Sequence, residues 1–509
     1  MRVRGNSLPW ITSKVKELMR ERDFHKKKAV KNNSNMHWIK FRAIRNKVNS
    51  ELKKAKKNYF CNKIKDCVRV KGPKQSWKLI NNLLGKNNKS NNISQLKVED
   101  VIISDDIKIA ESFNDFFVNI GPKLANEIEI NSTDFTSLQS VPSRPDIQFK
   151  FSEISTHEVC LQLRNLKTSK STGIDTIPAR ALKIAAEIIS PSLTWIFNLS
   201  IKTGIYVEEW RKAWVLPIYK SEDRQKCENY RPISILPIIS KIFERLLFNQ
   251  LYKYLNENSL LSKYQSGFRP KNSTLSALIQ MCDAWEQVCF VNGMMSTPRN
   301  LVCGVPQGSI LGPLLFLLYI NDLPNNLKNT IPCLYADDTQ IFSSANDYQH
   351  LVFNLNSDLN NISQWLKQNK LQHHSSKTKL MYVGSKYNLH KINNDIPVML
   401  NGQPIPRVTS IPCLGATLDE TLSWDEHIDV ICRKVAAGIG TLRRIKPFVP
   451  ANMLQSIYSA LIQPYFDYCS PLWDTCNKTL KDKLQKFQNR AARIMPMLYP
   501  STERGIKIM

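Results

Sequence analysis

Residues 304–342 read GVPQGSILGPLLFLLYINDLPNNLKNTIPCLYADDTQIF and contain the two most informative segments of the chain. The first segment, residues 304–313, is rich in glycine and proline and precedes the apolar run LLFLLYINDL. This pattern predicts a tight loop that leads into a buried helix, with Pro313 in the first turn. The glycines would let a large flat ligand approach the backbone, and the Gln307 amide offers both a donor and an acceptor.

The second segment, residues 333–342, places Asp337 and Asp338 side by side between apolar stretches. Such a pattern predicts a β-hairpin with both acids at its turn. Two adjacent carboxylates repel each other unless a cation lies beside them, and Mg²⁺ is a hard cation that carboxylates bind together with phosphates. The pair alone would favour an ordinary turn with two solvated aspartates. The glycine-rich segment nearby shifts the interpretation towards a metal site.

In this order, the two segments resemble the reverse transcriptase of non-LTR retrotransposons, the jockey-like and related LINE-type elements. The resemblance implies an α/β (α+β) right-hand polymerase with fingers, palm and thumb. It also implies an RNA-directed DNA polymerase, which adds dNTPs to a DNA primer on an RNA template by two-metal phosphoryl transfer with Mg²⁺ or Mn²⁺. Further blocks that resemble the family are residues 171–175, 210–220, 229–234 and 241–245 in the fingers, 265–269 after them, 365–379 after the catalytic hairpin, 413–419 at the primer grip, and 463–493 after the thumb.

The resemblance assigns a role to each residue that matches a motif of the family. Asp337 and Asp338 would be catalytic residues that bind the metals, and Lys377 would be a general acid toward the leaving pyrophosphate. Surface charge is the alternative for the nucleotide-binding cations, and a solvated turn residue is the alternative for Lys377. The remaining assignments are nucleotide binding by Arg231, Lys241, Gln307 and Gly308, and a primer grip at Leu414 and Gly415.

One catalytic element of the family has no counterpart in this sequence. Two-metal chemistry needs carboxylates from separate strands, and in the family a strand of the form F/L-D-x-x-x-A-F-D lies between the Gly-Phe-Arg and Val-Pro-Gln-Gly blocks. Here Phe268 and Gly304 are only 36 positions apart, and the acidic residues between them are Asp283 and Glu286. An amphipathic pattern over residues 274–287 predicts a helix there. We therefore interpret the sequence as carrying an internal deletion near residue 287, which would leave the palm incomplete and this copy inactive, with Asp283 as the only conceivable substitute.

The first 90 residues hold 26 Lys and Arg against five Asp and Glu, whereas the whole chain has a net charge of +28. Aromatic residues are interleaved with the charge, and Phe41, Ile44 and Val48 recur at helical spacing, which predicts basic helices. Helices of this kind attract RNA or an RNA–DNA hybrid through counterion release. A solvated helical arm without a ligand is the alternative. The lysines assigned to nucleic-acid binding are Lys26, Lys27, Lys28, Lys53, Lys54, Lys56 and Lys57.

The 509 residues, 42% of them hydrophobic, predict several folded domains. These are a basic helical arm (1–90), a linker with a packing helix over 109–120 (91–148), fingers and palm (149–400), and a primer-grip, thumb and post-thumb helical region (401–509). Twelve scattered cysteines without zinc spacing favour a reducing intracellular compartment, with nucleus and cytoplasm both compatible. The longest apolar run, Ile310 to Ile320, is too short to span a membrane.

Two functional interpretations follow. The first is an RNA-directed DNA polymerase by descent whose present copy is inactive or nearly so. The second is a non-catalytic nucleic-acid-binding remnant, with a mispredicted gene model of an active enzyme as a further explanation of the missing strand. The resemblance also implies an endonuclease before the polymerase, so the sequence predicts a fragment or a decayed genomic copy.

Overall fold

The computed structural model describes residues 8–70, 92–128, 149–265, 285–301, 304–392 and 396–495, together with residues 77, 80, 81 and 84. The chain divides into two compact units. Unit 1 comprises Met1–Lys89, Met381–Lys391 and Arg407–Met509, and unit 2 comprises Ser90–Leu380 and Ile392–Pro406. No helix in the described ranges is long and apolar enough to cross a bilayer.

Helices and strands alternate irregularly along the chain, as expected for a mixed α/β protein. The helices are α1 (Ser13–Lys31), α2 (Asn35–Val70), α3 (Asp106–Asn126), α4 (Thr156–Arg164), α5 (Ala179–Ile184), α6 (Ala186–Thr203), α7 (Glu208–Arg211), α8 (Ile238–Glu257), α9 (Gly312–Tyr319), α10 (Tyr348–Gln368), α11 (Lys386–His390), α12 (Asp425–Ile445), α13 (Ala451–Leu461), α14 (Gln463–Asp467), α15 (Ser470–Trp473) and α16 (Lys478–Ala492). The strands are β1 (Leu96–Val98), β2 (Val101–Ile103), β3 (Lys212–Tyr219), β4 (Tyr230–Ile235), β5 (Trp285–Val291), β6 (Met294–Met295), β7 (Arg299–Leu301), β8 (Ile331–Tyr335), β9 (Asp338–Phe342), β10 (Met399–Leu400), β11 (Gln403–Pro404), β12 (Ser410–Cys413) and β13 (Ala416–Asp419).

In unit 1, the basic N-terminal region forms two long helices, as its spacing predicted. Helices α1 and α2 pack against each other, and Val15, Ala29 and Val48 are buried apolar residues of these helices. The C-terminal part of α2 continues into a second core, where Ile64 is buried with residues of α12 such as Val435 and Leu442. The Cys61 thiol also donates to the backbone carbonyl of Phe448. The second arm helix is therefore anchored in the hydrophobic core of unit 1.

Unit 2 contains a five-stranded sheet in the order β4-β3-β5-β6, with β7 also paired to β5. Strand β3 runs antiparallel to β4 and parallel to β5. One face of this sheet packs on α3, whose Phe113 and Phe117 are buried with Val215, Tyr230 and Cys289. The packing helix predicted over residues 109–120 is confirmed.

The predicted helix over residues 274–287 is wrong for its last three residues. Residues 285–287 begin β5, where Gln287 pairs with Ala213 of β3 on one side and with Arg299 of β7 on the other. Strand partners on both edges satisfy the backbone here, and this tertiary pairing overrides a local helical pattern. Asp283 and residues 266–284 lie outside the described residues, as do the polar stretches at 85–91 and 131–146.

A helical core supports the glycine-rich loop. Helices α4 to α8 bury a cluster around Phe197 and Phe243, whose rings stack with centroids 4.7 Å apart. Helix α9 begins at Gly312 with Pro313 in its first turn and places Leu314 and Leu317 in the same cluster. The buried helix predicted after the loop is confirmed.

Candidate nucleotide and nucleic-acid site

The predicted hairpin is present with its acids at the turn. Strands β8 and β9 pair from Ile331 opposite Phe342 to Tyr335 opposite Asp338, which leaves Ala336 and Asp337 as the two turn residues. Ala336 adopts a left-handed conformation with φ of +54°. Both aspartate side chains are exposed at the tip.

Two buried polar residues hold the hairpin in place, and the sequence patterns did not reveal either role. The first is Gln265, which is 2% exposed and whose Oε1 atom accepts from the Ala336 amide at 3.1 Å. Asp358 of α10 is buried beside the residues that precede β8. Its carboxylate accepts from the Asn329 amide and the Thr330 hydroxyl, both at 2.8 Å. Such contacts restrict the positions that the tip can take. In the sequence, Gln265 only opened a block that resembles the family, and Asp358 carried no signal.

The glycine-rich loop lies directly against strand β4. The Ser234 amide donates to the Gln307 carbonyl at 2.7 Å. Gly308 has a φ of +133°, and a Cβ atom at this position would lie 2.4 Å from the Ser234 carbonyl oxygen. Gln307 and Gly308 are both exposed, so a ligand can reach the loop where its backbone is closest to the strand.

Gly308→Ala is expected to destabilise unit 2 by about 3 kcal/mol, because the new methyl group combines a backbone clash with a φ that side chains rarely adopt. Urea unfolding with a probe in unit 2 measures the change. Gly304→Ala in the same loop is the matched control, since its φ of +83° is also positive but a Cβ atom there meets nothing within 4 Å, so it should cost less. An unchanged transition in Gly308→Ala would contradict the close approach of loop and strand.

Comparison with known proteins identifies the region that holds the loop and the hairpin. Residues 278–418 match the family described as reverse transcriptase (RNA-dependent DNA polymerase). This segment is therefore similar to reverse transcriptases. Over a larger part of the chain, similar proteins include the "Probable RNA-directed DNA polymerase from transposon BS" of Drosophila melanogaster. It is 24% identical, over 72% of this chain and 48% of the relative. The RNA-directed DNA polymerase from mobile element jockey of the same species is 22% identical over 67% of this chain and 44% of the relative.

The chain spans about half the length of the curated relatives that it matches. The alignment with the transposon BS protein has 442 positions and includes 72% of this 509-residue chain, which is about 366 residues. At the remaining positions, about 76, the relative has a residue and this chain has a gap. For jockey, 408 positions against 67% of the chain leave about 67 such positions.

In unit 2, a cationic cluster brings together two of the residues assigned from the sequence. Lys220, immediately after β3, lies close to Lys377. This neighbouring charge, followed by burial and by Arg231, lowers the pKa of the Lys220 ammonium. Arg231 of β4 pairs with Ile218 of β3, just before Lys220. All three cations are exposed, and no described acidic residue forms a salt bridge with them. In the sequence, Lys220 only ended the block 210–220 that resembles the family's fingers.

The other sequence-assigned residues of unit 2 are not joined to this cluster by hydrogen bonds or salt bridges among the described residues. Lys241 is half-buried on α8, and burial, with Lys170 nearby, lowers the pKa of its ammonium, whereas Glu244 opposes the shift. Lys241 therefore lies near the helical core, and no hydrogen bond among the described residues joins it to Lys220, Arg231 or Lys377. Asp337 and Asp338 likewise form no described hydrogen bond or salt bridge with that cluster.

In unit 1, the primer-grip assignment falls on a second hairpin tip. Leu414 and Gly415 form the two-residue turn between β12 and β13, with φ of +46° and +92°. The Tyr468 hydroxyl donates to the Leu414 carbonyl, and its ring would lie 3.2 Å from a Cβ atom on Gly415. Tyr468 thus supports a tip whose Leu414 side chain is exposed. The sequence did not indicate this tyrosine.

Unit 1 also holds the lysines assigned to nucleic acid. Lys26, Lys27, Lys28, Lys53, Lys54 and Lys57 are exposed, whereas the half-buried Lys56 lies 5.4 Å from the Trp10 ring centroid and 5.5 Å from that of Phe448. By sequence, unit 1 has 42 Lys and Arg against 14 Asp and Glu, and unit 2 has 29 of each. The net charge of +28 therefore belongs entirely to unit 1.

Proposed function

We propose that this chain is an RNA-directed DNA polymerase of a non-LTR retrotransposon by descent, which still binds nucleotide and primer–template but extends a primer poorly or not at all. Its partners would be an RNA template, a DNA primer and dNTPs. The observation that carries the proposal is the hairpin tip, which presents Asp337 and Asp338 to solvent without a third acidic residue beside them in the described part of the chain.

The tip fits part of a divalent metal site. Two adjacent exposed carboxylates can provide two oxygen ligands to Mg²⁺ or Mn²⁺, which completes its shell with water and substrate phosphates. Within the described ranges, no group of three or more His, Cys, Asp and Glu residues could hold a metal ion. These residues fit one cation and do not fit the two-metal arrangement, because the latter needs a carboxylate from another strand. When bound, the metal would neutralise phosphate charge at the tip.

Two observations support the loss of a strand. The alignments with the transposon BS and jockey proteins contain about 76 and about 67 positions that this chain does not fill. In the described residues, β8 pairs with β9 on one edge, and on its other edge it has only an isolated bridge between Leu334 and Gln265. An edge with so little pairing is where a further palm strand would lie.

The cationic cluster supports nucleotide binding. Arg231 can bind a phosphate with two parallel hydrogen bonds, and Lys220 and Lys377 add point charges beside it. A triphosphate would relieve the repulsion that lowers the pKa of Lys220. Gln307 and Gly308 would line the pocket for the base and sugar, and Lys377 could also donate a proton to the leaving pyrophosphate.

Asp337→Asn is expected to abolish any residual Mn²⁺-dependent primer extension and to weaken Mn²⁺ binding, because it removes a charged ligand at the tip. Primer extension on an RNA template and water-proton relaxation with Mn²⁺ measure the two effects. Asp347→Asn is the control, since Asp347 accepts from the Gln349 and His350 amides at the start of α10 and asparagine keeps that cap. Equal losses in both variants would show that the tip is not the site.

A further inference from the structure

A buried carboxylate lies behind the glycine-rich loop. Glu244 of α8 is only 1% exposed, and its Oε2 atom accepts from the backbone amides of Ile310 and of Leu311, the latter at 3.4 Å. These amides come immediately before α9, so the carboxylate also faces the positive end of that helix. Its Oε1 atom is buried and receives no hydrogen bond from the described residues.

The loop is thus attached at both ends to elements that carry nucleotide-binding candidates. At its beginning, the Gln307 carbonyl accepts from Ser234 of β4, the strand that contains Arg231. At its end, the loop amides are held by Glu244, one helical turn after Lys241 on α8. Strand, helix and loop are therefore linked by backbone groups and by the Glu244 side chain, and these bonds use no side chain of Arg231, Lys241 or Gln307.

We propose that Glu244 is a positioning residue of the nucleotide pocket, which holds the loop bearing Gln307 and Gly308 in register with Lys241. Glu244 does not contact the nucleotide, since it is buried behind the loop. The proposal rests on the proposed function for the roles of these three residues. The attachment of the loop itself can be tested without any ligand.

The surroundings of Glu244 give this attachment a distinctive pH dependence. Burial raises the pKa of Glu244 to about 7, against the backbone hydrogen bonds and the charges of Lys241 and Arg245, which lower it. Lys170 lies near Lys241, and the loop over residues 304–312 contributes no titratable side chain. Because the pKa of Glu244 is raised in the folded state, its contribution to stability is fully present below pH 4.5, the ordinary pKa of a glutamate. This contribution is lost as the pH rises through about 7.

Hydrogen exchange at the Ile310 and Leu311 amides in the full chain tests the attachment. In Glu244→Ala we expect at least about tenfold less protection, because the two amides lose their acceptor. Glu244→Gln keeps an acceptor oxygen and should retain protection within about threefold. Protection in the wild type should fall as pH rises from 5 to 8, whereas Glu244→Gln should show no such fall. Glu257→Gln, an exposed residue at the end of the same helix, is the control.

The affinity for a template-matched dNTP, measured with the chain bound to an RNA–DNA primer–template, tests the effect of Glu244 on the nucleotide pocket. Glu244→Ala should weaken dNTP affinity by at least about tenfold with unchanged primer–template affinity, and Glu244→Gln should not. Full amide protection in Glu244→Ala, or equal losses in both variants, would overturn the proposal. If Glu244→Ala does not fold, a pH profile of Glu244→Gln identical to that of the wild type would overturn it. A wild type that binds no dNTP would refute the proposed function, while amide protection would still decide the role of Glu244.

Discussion

Replacing Lys26, Lys27, Lys53 and Lys57 together with glutamine is expected to lower the affinity for an RNA–DNA hybrid by about 100-fold near 0.1 M salt. Each lysine that neutralises a phosphate contributes about 0.7–0.9 to the slope of log affinity against log salt, so the slope should become shallower by about 3. The four side chains are exposed on α1 and α2. Fluorescence anisotropy over a salt series measures both quantities.

The matched control removes the same charge from the other unit. Lys150, Lys202, Lys253 and Lys328 are exposed in unit 2, which has no net charge by sequence. Their replacement by glutamine should change the affinity by less than about threefold, because no concentrated positive field surrounds them. Equal losses in the two quadruple variants would mean that the arm is a solvated spacer without a special role in binding.

Substitution is a sharper test than truncation of the first 90 residues. Ile64 of α2 and Ile80 are buried in the same core as Val435 and Leu442 of α12. Removal of these side chains would expose apolar surface on the C-terminal helices, and each lost side chain would cost several kcal/mol in a packed core. A truncated chain could therefore lose affinity by unfolding. The lysine variants leave this core unchanged.

The sequence predicted the elements whose conformation depends on local pattern. The hairpin around Asp337 follows from apolar stretches on either side of a polar pair, and the start of α9 follows from Pro313 before an apolar run. The basic helices follow from the spacing of Phe41, Ile44 and Val48. In each case the residues that determine the element lie within a few positions of one another.

The sequence could not predict contacts between distant parts of the chain. Lys220 and Lys377 approach each other across 157 positions, and Glu244 binds the Ile310 amide across 66. Such contacts depend on how helices and strands pack, which hydrophobic periodicity does not report. The same limit explains the error at residues 285–287, where pairing with β3 and β7 decides the conformation.

Insertion of the family's aspartate-bearing strand and following helices before Trp285 is expected to raise primer extension by at least about 1,000-fold over the ungrafted chain. The graft would supply a carboxylate from a second strand, which two-metal phosphoryl transfer requires. Electrostatic groups of this kind are commonly worth factors of about 100 to 1,000 each. Extension of a DNA primer on an RNA template, together with soluble yield, measures the result.

The position of the graft follows from the pairing of β5. Insertion between Gln287 and Val288, where the sequence alone suggested the junction, would interrupt a strand paired on both edges, so that variant should lose soluble protein. The same graft before Trp285 with its aspartate changed to alanine should recover solubility without extension, which separates folding from chemistry. Strong extension by the ungrafted chain that disappears in Asp283→Asn would contradict the deletion, because the existing sequence would then already supply the second carboxylate.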